Sequence, residues 1–349
     1  MRLEPRSDIP VWMNLLAPVA AVIAALMICG LLIIWAGEPV LVAYGALFKG
    51  ALGSRFAFSE TLTRATPMIL TGLAAAIAFR AKLWNIGGEG QFYMGALAAT
   101  WLGAGAITMP AYLMVPFLLM VGALAGGLLL LVPTLLKTHL KVDEVVTTLL
   151  LNFIVLLFVN YLLEGPLKDP MSLGWPQAAP IIDEGVLPKI LSRSRLHLGL
   201  AVAVIAAVGI WVVMRFTVWG HEIRAVGFNY IAANFAGISV NKTIVLTALI
   251  SGGMAGIAGV SEVAGTKGYL TLDLSPGFGY AGIAVAMLAA LHPLAVVASA
   301  LFLSAIYVGA DSMSRAINVP TYIADVIVAT SVLAVLVSFM LTRYRVRLR

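Results

Sequence analysis

The sequence predicts an all-α integral membrane protein with about ten transmembrane helices, an inverted internal repeat and broken helices. Three observations predict it. Of 349 residues, 61% are hydrophobic and only 11% charged, with a mean hydropathy of +1.01. Soluble domains carry roughly 25% charged residues, and a water-soluble chain of this length could not hide so much apolar surface. Apolar runs of span length recur from end to end, and the basic residues divide unevenly between the loops that separate them.

A helix needs about 20 apolar residues to cross the hydrocarbon core. The runs and their breakers give ten spans, roughly 15–36, 61–79, 91–108, 112–136, 145–163, 197–214, 243–263, 279–291, 294–311 and 321–342. The eighth and ninth are short and are separated by His292-Pro293, as a bent pair or a re-entrant hairpin would be. The first ten residues, MRLEPRSDIP, are polar, and the run that follows is long enough to span, so no cleavable signal peptide is expected. Cys29 is the single cysteine, which leaves no disulfide framework and no cysteine-based metal site within the chain.

Ten spans put both termini on one face. That face holds Arg2, Arg6, Arg80, Lys82, Lys137, Lys141, Arg215, Arg224, Lys242, Arg343, Arg345, Arg347 and Arg349, which are 13 of the 22 bases, against 9 on the other. Lys and Arg mark the cytoplasmic face, so both termini are expected in the cytoplasm of a bacterial inner-membrane protein. The net charge of +6 is accounted for by this orientation rather than by nucleic acid. The tail RYRVRLR serves as a topological anchor, with membrane lipid beside it. Segments 37–60 and 164–196 become the long external loops. The second carries Pro166, Pro170, Pro176, Pro180 and Pro188 and is expected to be ordered, with a short surface helix at most. The largest internal loop is 215–242.

At an offset of 187 residues, Gly90-x-x-Tyr93-x-Gly95 aligns with Gly277-x-x-Tyr280-x-Gly282. Gly72 falls on Gly259, Leu83 on Leu270 and Ala99 on Ala286. The span before "NIGGEGQ" (85–91) runs inward and the span before "LDLSPGFGY" (272–280) runs outward. Related segments of opposite orientation are what an inverted-repeat transporter shows, with discontinuous helices near the substrate path. The repeat halves are about 61–163 and 243–342, within one transmembrane domain covering 1–349.

Three glycines and a carboxylate at 85–91 are poor material for a lipid-facing helix, and backbone freed at membrane depth must be buried in protein or line a wet cavity. Asn85 is expected to cap the following helix by accepting from the N–H of Gly87 or Gly88. Glu89 then lies in the first turn, where the helix dipole favours it by about 0.3–1 kcal/mol. Two readings stand: a capped, tightly packed helix start, or a substrate-path element. Polar or aromatic groups within spans are the functional suspects. The candidate pathway residues are therefore Asn85, Glu89, Gln91, Asn152, Phe153, Asn160, Phe278 and Tyr280. Asn152 and Asn160 are two helical turns apart and share a face; the bland reading of both is helix–helix hydrogen bonding. Glu262, Asp311 and Asp325 are placed at external helix ends as loop or receptor contacts. For Glu144, at a cytoplasmic helix start, the dipole suffices. The four histidines have no ligand partner at i+3 or i+4, so no metal site is expected.

In the internal loop, Asn229 is expected to cap a short helix over 230–236 that Gly237 ends. Ala232, Ala233 and Ala236 give it a small-residue face, suited either to insertion into a partner's groove or to lying on the membrane surface. The segment resembles the cytoplasmic coupling loop of ABC-importer permeases: Ala232-Ala233-x-x-x-Gly237 is similar to the Ala-Ala-x-x-x-Gly part of their coupling motif, although Ile231 stands where many have Glu. "LWNIGGEGQFYMGALAA" (83–99), "DEVVTTLLLNFI" (143–154), "RAVGFNYIAANFAGI" (224–238) and "SPGFGYAGIAVAML" (275–288) resemble, in the same order, the branched-chain amino acid, simple sugar and nucleoside branch. Within it the chain looks most like nucleoside permeases that work with a basic-membrane-protein-type lipoprotein receptor.

That resemblance implies a non-catalytic permease subunit importing a nucleoside or simple sugar. Partner ATPases would carry ATP and Mg, with no cofactor on this chain. A second permease, identical or paralogous, would complete the pore, and an extracytoplasmic binding protein would deliver substrate. Glu222, Arg224, Gly227, Asn229, Ala232, Ala233 and Gly237 would carry the ATPase coupling. The chain has no G-x-x-x-x-G-K-[ST] phosphate loop, in keeping with nucleotide on another chain. An ion-coupled secondary transporter is the competing class; it would want a carboxylate deep in a span. An intramembrane hydrolase lacks a catalytic set.

Overall fold

The computed structural model describes residues 2–5, 11–35, 37–317 and 322–347. Arg6 and Arg349, counted above on the basic face, and residue 321, where the last span was set to begin, lie outside them. Among the described residues thirteen α-helices run in order: α1 Val11–Trp35, α2 Val40–Leu52, α3 Arg55–Arg80, α4 Gly88–Gly103, α5 Ala111–Leu140, α6 Glu144–Glu164, α7 Gly199–Phe216, α8 Val218–Phe228, α9 Tyr230–Phe235, α10 Val240–Glu262, α11 Phe278–Leu288, α12 Pro293–Ile317 and α13 Tyr322–Arg343. Two short strands, β1 Arg2–Pro5 and β2 Tyr344–Arg347, pair antiparallel and bring the two ends of the chain together.

Among the described residues six helices, α3, α5, α6, α7, the continuous α10 segment Val240–Lys267 and α12, are long and apolar enough to cross a membrane. A seventh span is added if the bent pair Ile23–Trp35 and Val40–Leu52, turned by 117°, counts as one. The protein is therefore a multi-pass, helical membrane protein. Helix α2 lies in the segment 37–60, expected to be external; its 13 residues are apolar but too few to register as a span. Helix α3 starts six residues before the expected span because Ser54 accepts from the N–H of Ala57 and opens the helix there. The proline-rich segment is ordered as expected, with one short 3-10 turn at Asp183–Gly185 and three isolated bridges, one of them from Gln177 to Thr271.

The chain forms two compact units, residues 1–61 with 301–349, and residues 62–300. In the first, α1 packs against α13, and glycines at Gly50 and Gly309 let α2 and α12 approach. The second contains every candidate site residue. Its centre is α10 lying against α4 and α5. A side chain on Gly256 would meet Gly122 O at 2.0 Å, and one on Gly252 would meet Gly126 O at 2.4 Å. Residue numbers rise along α5 as they fall along α10, so the two helices are antiparallel. Small residues let helix backbones approach this closely in a medium that supplies no hydrophobic drive between helices.

The loops of this unit segregate. At one end, the turns after α3 and α5 meet the α8–α9 segment; at the other, Ile182 donates to Gly103 O and Ala178 to Leu270 O. Within this unit, the basic turns after α3 and α5 thus lie at the same end as the α8–α9 segment.

Candidate functional site

Helix α4 starts deep in the unit. Asn85 Nδ2 donates to Ser251 Oγ at 3.0 Å, and Ser251 sits midway along α10. Helix α4 then runs to the end where Gly103 meets Ile182. Helix α11 starts beside it and runs the other way, reaching the end where Arg80 Nε donates to Leu291 O. At 1.5 Å per residue, the 11 residues of α11 cover about 16 Å, half of a ~30 Å hydrocarbon core. Two short helices therefore begin in the interior of the unit with their N-termini together.

Glycine makes the meeting close. A side chain on Gly279 would lie 2.2 Å from Glu89 N, and one on Gly88 would lie 3.3 Å from Gly279 O. Each N-terminus carries roughly half a positive charge in unsatisfied N–H groups. Glu89, in the first turn of α4, answers both: its Oε2 accepts from Gly279 N at 2.7 Å in the first turn of α11. Ser275 Oγ accepts from Gly277 N and Phe278 N, capping α11, and Gly277 has a φ of +95° that favours glycine. Thr71 Oγ1 donates to Phe278 O at 2.9 Å, and Tyr93 Oη donates to Leu272 O at 2.5 Å.

The break before α4 is saturated with amide bonds. Asn85 and Gln91 exchange a reciprocal pair, Nδ2 to Oε1 at 2.9 Å and Nε2 to Oδ1 at 2.8 Å. Asn85 Oδ1 also accepts from Gly87 N at 3.0 Å, the bond expected from the sequence. The helix starts later than expected, however: Gly87 is the capping residue and Asn85 closes the turn before it. Asn152, fully buried, accepts from Gly90 N at 2.8 Å and donates to Ile86 O at 3.0 Å and to Tyr280 Oη at 3.1 Å. One side chain on α6 thus ties both half-helix starts. It lies about 12 Å past Glu144, eight residues on, where an unmet backbone group would be costly.

Of the predicted pathway residues, the structure brings together Asn85, Glu89, Gln91, Asn152, Phe278 and Tyr280. The Phe278 ring is buried with its centroid 6.1 Å from that of Phe92. Tyr280 is 41% exposed, while the other five are buried. Phe153 does not join: it is exposed on the side of α6 that turns away from buried Asn152. Asn160 lies on the flank of the buried stripe Glu144, Thr148, Asn152, Val155, Val159 and Leu163.

Two carboxylates placed by sequence as simple helix-end charges are more than that. Glu144 is buried, accepts from Trp84 N at 3.2 Å and pairs with Lys137 Nζ, which also donates to Lys82 O. Asp143 is the residue that caps α6, accepting from Val145 N at 2.8 Å. Glu262, expected as an external contact, is buried with Arg64, Arg195 and Lys267 as its charged neighbours, where α10 passes into a π-turn at Val263–Lys267. Lys137→Met removes the counter-ion of a carboxylate that stays buried. It should lower stability by about 2 kcal/mol, read as thermal unfolding of the solubilised protein, while Glu144→Gln retains an acceptor for Trp84 N and costs less.

The 215–242 segment folds as two helices. Thr217 caps α8 through Gly220 N, and Asn229 caps α9 by accepting from Ile231 N at 3.0 Å and Ala232 N at 3.1 Å. Gly237 ends α9 at a φ of +85°, with Ile238 N donating to Ala233 O. Three residues assigned to a partner contact face home instead. Arg224 donates to Met214 O, Thr243 Oγ1 donates to Glu222 Oε2, and a side chain on Gly227 would lie 1.9 Å from Arg80 O. Ile223 is buried with Ile77, Ala81, Ile210 and Met214. Helix α8 is thus bolted to the ends of α3, α7 and α10. The small-residue face is also corrected: Ala233 is 4% exposed and packs inward, while Ala232 and Ala236 are exposed. The outward surface is apolar and largely aromatic, with Phe228, Tyr230, Ile231 and Phe235 all exposed, Phe235 to 89%. Sequence reasoning passed over these rings because alternating small and large residues in a six-residue helix do not show which face is held. Among the described residues, no group of three or more His, Cys, Asp or Glu could hold a metal ion.

Known proteins match over nearly the whole chain. Residues 57–337 match the family described as the permease component of the branched-chain amino acid transport system. A guanosine ABC transporter permease protein of Bacillus subtilis is 39% identical, covering 93% of this chain and 94% of its own length. A glucose ABC transporter permease protein of Haloferax volcanii is 34% identical, covering 99% and 93%. A nucleoside ABC transporter permease protein of Lactococcus lactis is 29% identical, covering 94% and 92%. The chain belongs to the branched-chain amino acid transport system permease-component family, as a multi-pass membrane permease subunit of an ABC importer.

Proposed function

We propose that this subunit passes nucleosides inward across the bacterial inner membrane, driven by ATPase subunits that grip α8–α9. Simple sugars are the competing substrate, since one relative is a glucose permease and two are guanosine or nucleoside permeases. The carrying observation is the pair of facing half-helix starts, pinned by Glu89 and Asn152 and edged by Tyr280. The amides hold the break, the exposed phenol ring of Tyr280 suits stacking on a flat base, and the two starts can part without breaking a continuous helix. Two reciprocal packings support an inverted repeat: Gly72 on α3 meets Val285 of α11, and its repeat mate Gly259 on α10 meets Phe92 O of α4. The joined chain ends support an even number of crossings. In this reading there are ten spans in one transmembrane domain, 1–349, with both termini cytoplasmic. The chain does no chemistry and holds no metal or cofactor, and ATP and Mg are handled by the ATPases. A second permease completes the pore, and an extracytoplasmic binding protein loads it.

Uptake of labelled guanosine and glucose into vesicles carrying the whole assembly tests this. ATP-dependent guanosine uptake that survives an uncoupler is expected. Uptake that needs no ATPase and collapses with the proton gradient would return the protein to ion-coupled transport. The docking part has its own test. An exposed aromatic surface held on a fixed arm is what a partner's groove takes up. Phe235→Asp should cut uptake at least about tenfold, the weight of one buried aromatic anchor, while leaving the protein inserted and its melting unchanged. Undiminished uptake would remove α9 from the interface.

A further inference from the structure

Beside α9 lies a cleft of about 820 Å³, lined by Phe228, Asn229 and Tyr230 together with Lys82, Trp84 and Lys141. We infer that this cleft receives an acidic segment of the ATPase, so that the coupling contact is two-way: α9 inserts into the partner, and the partner inserts beside α9. The inference rests on the docking role proposed for α8–α9.

The charge of the cleft carries the argument. Its acids are already committed, Asp143 to the N–H of Val145 and Glu144 to Lys137 and Trp84. Neither Lys82 nor Lys141 takes part in an ion pair among the described residues, and both are exposed. Each stands just past a helix end in left-handed backbone, at φ of +55° and +56°. Glycine or asparagine is the usual choice there, and a β-carbon is a steric cost. Helix dipoles are served by bases in the last turn itself, Arg80 in α3 and Lys137 in α5. Two strained positions at one cleft thus carry a long cationic side chain that pairs with no acid among the described residues. Exposed ammonium groups on a rim suit carboxylates brought up by a closing surface, rather than a small anion that needs enclosing donors. The wall they stand on leads inward. Trp84 N bonds to Glu144, and Ile86 N bonds to Thr148 one turn before Asn152, so pressure on Lys82 and Lys141 reaches the start of α4.

The test uses the full transporter. K82N/K141N removes both charges and suits the left-handed backbone. Co-purification of the ATPase with this variant should fall about tenfold at low salt, the combined weight of two rim contacts, and should lose the salt dependence shown by the native assembly. A photo-crosslinker at position 141 should trap an acidic peptide of the ATPase. Native co-purification with an unchanged salt profile overturns the inference, as does a crosslink only to phospholipid or to a nucleotide. Phe235→Asp separates the two ideas. If it releases the ATPase while K82N/K141N does not, docking by α9 stands and the acidic segment falls. If neither does, docking itself falls.

Discussion

Asn152→Leu is expected to abolish transport and to lower the stability of the folded subunit by on the order of 3 kcal/mol. Leucine has the same number and branching of side-chain heavy atoms, so the chief loss is one of bonds. Gly90 N and Ile86 O lose their amide partner at a depth where water cannot replace it, and each stranded group costs about 1–3 kcal/mol. Tyr280→Phe separates holding from recognition. It removes only the bond between Tyr280 Oη and Asn152 Nδ2, at about 1 kcal/mol, and leaves both half-helix starts pinned. If Tyr280 touches substrate, Tyr280→Phe should raise the substrate concentration needed for half-maximal uptake while melting barely moves. If uptake by Asn152→Leu is native and its melting unaltered, Asn152 does not hold the break.

The contrast shows which parts of the site a sequence can express. The bond from Gly87 N to Asn85 and the capping of α9 by Asn229 span two or three residues, and cap chemistry is local. Both were legible. So were the apolar runs, each of which falls on a helix, because run length and hydrophobicity need no tertiary knowledge. The bond from Gly279 to Glu89 joins residues 190 apart. Sequence showed a carboxylate suited to one helix start and had no means of showing that it serves two. Glu262 was misplaced for the same reason: Arg64 and Arg195, which make its burial tolerable, come from distant segments. Ala233 and Phe235 differ in exposure only because α9 is held through α8 by Gly227 and Ile223, which pack on α3 and α7. In a membrane protein, apolar character no longer separates inside from outside. Helices were therefore easier to read than the faces they turn to one another.

Glycine carries part of that missing information, and its removal has the other large effect expected here. Gly256→Leu should yield no folded protein, and Gly256→Ala should lower stability by about 3 kcal/mol or somewhat more, the upper end for overpacking a tight interior. The reason is geometric. A β-carbon at Gly256 would lie 2.0 Å from Gly122 O, which is fixed backbone. Helices α5 and α10 would have to move apart, and with them the neighbouring contact of Gly252 with Gly126. Separation would not stop there, since Gly95 of α4 packs on Gly256 O and Ser251 of the same α10 holds Asn85. The scaffold that places both half-helix starts would loosen as a unit. Gly209→Ala on α7 is the control, because nothing lies within 4 Å of a β-carbon there, and alanine should be neutral or gain up to about 1 kcal/mol in helix propensity. Gel filtration and thermal unfolding of the solubilised variants report both. A Gly256→Ala protein as stable as Gly209→Ala would mean that α5 and α10 do not rely on the close approach that the glycines permit.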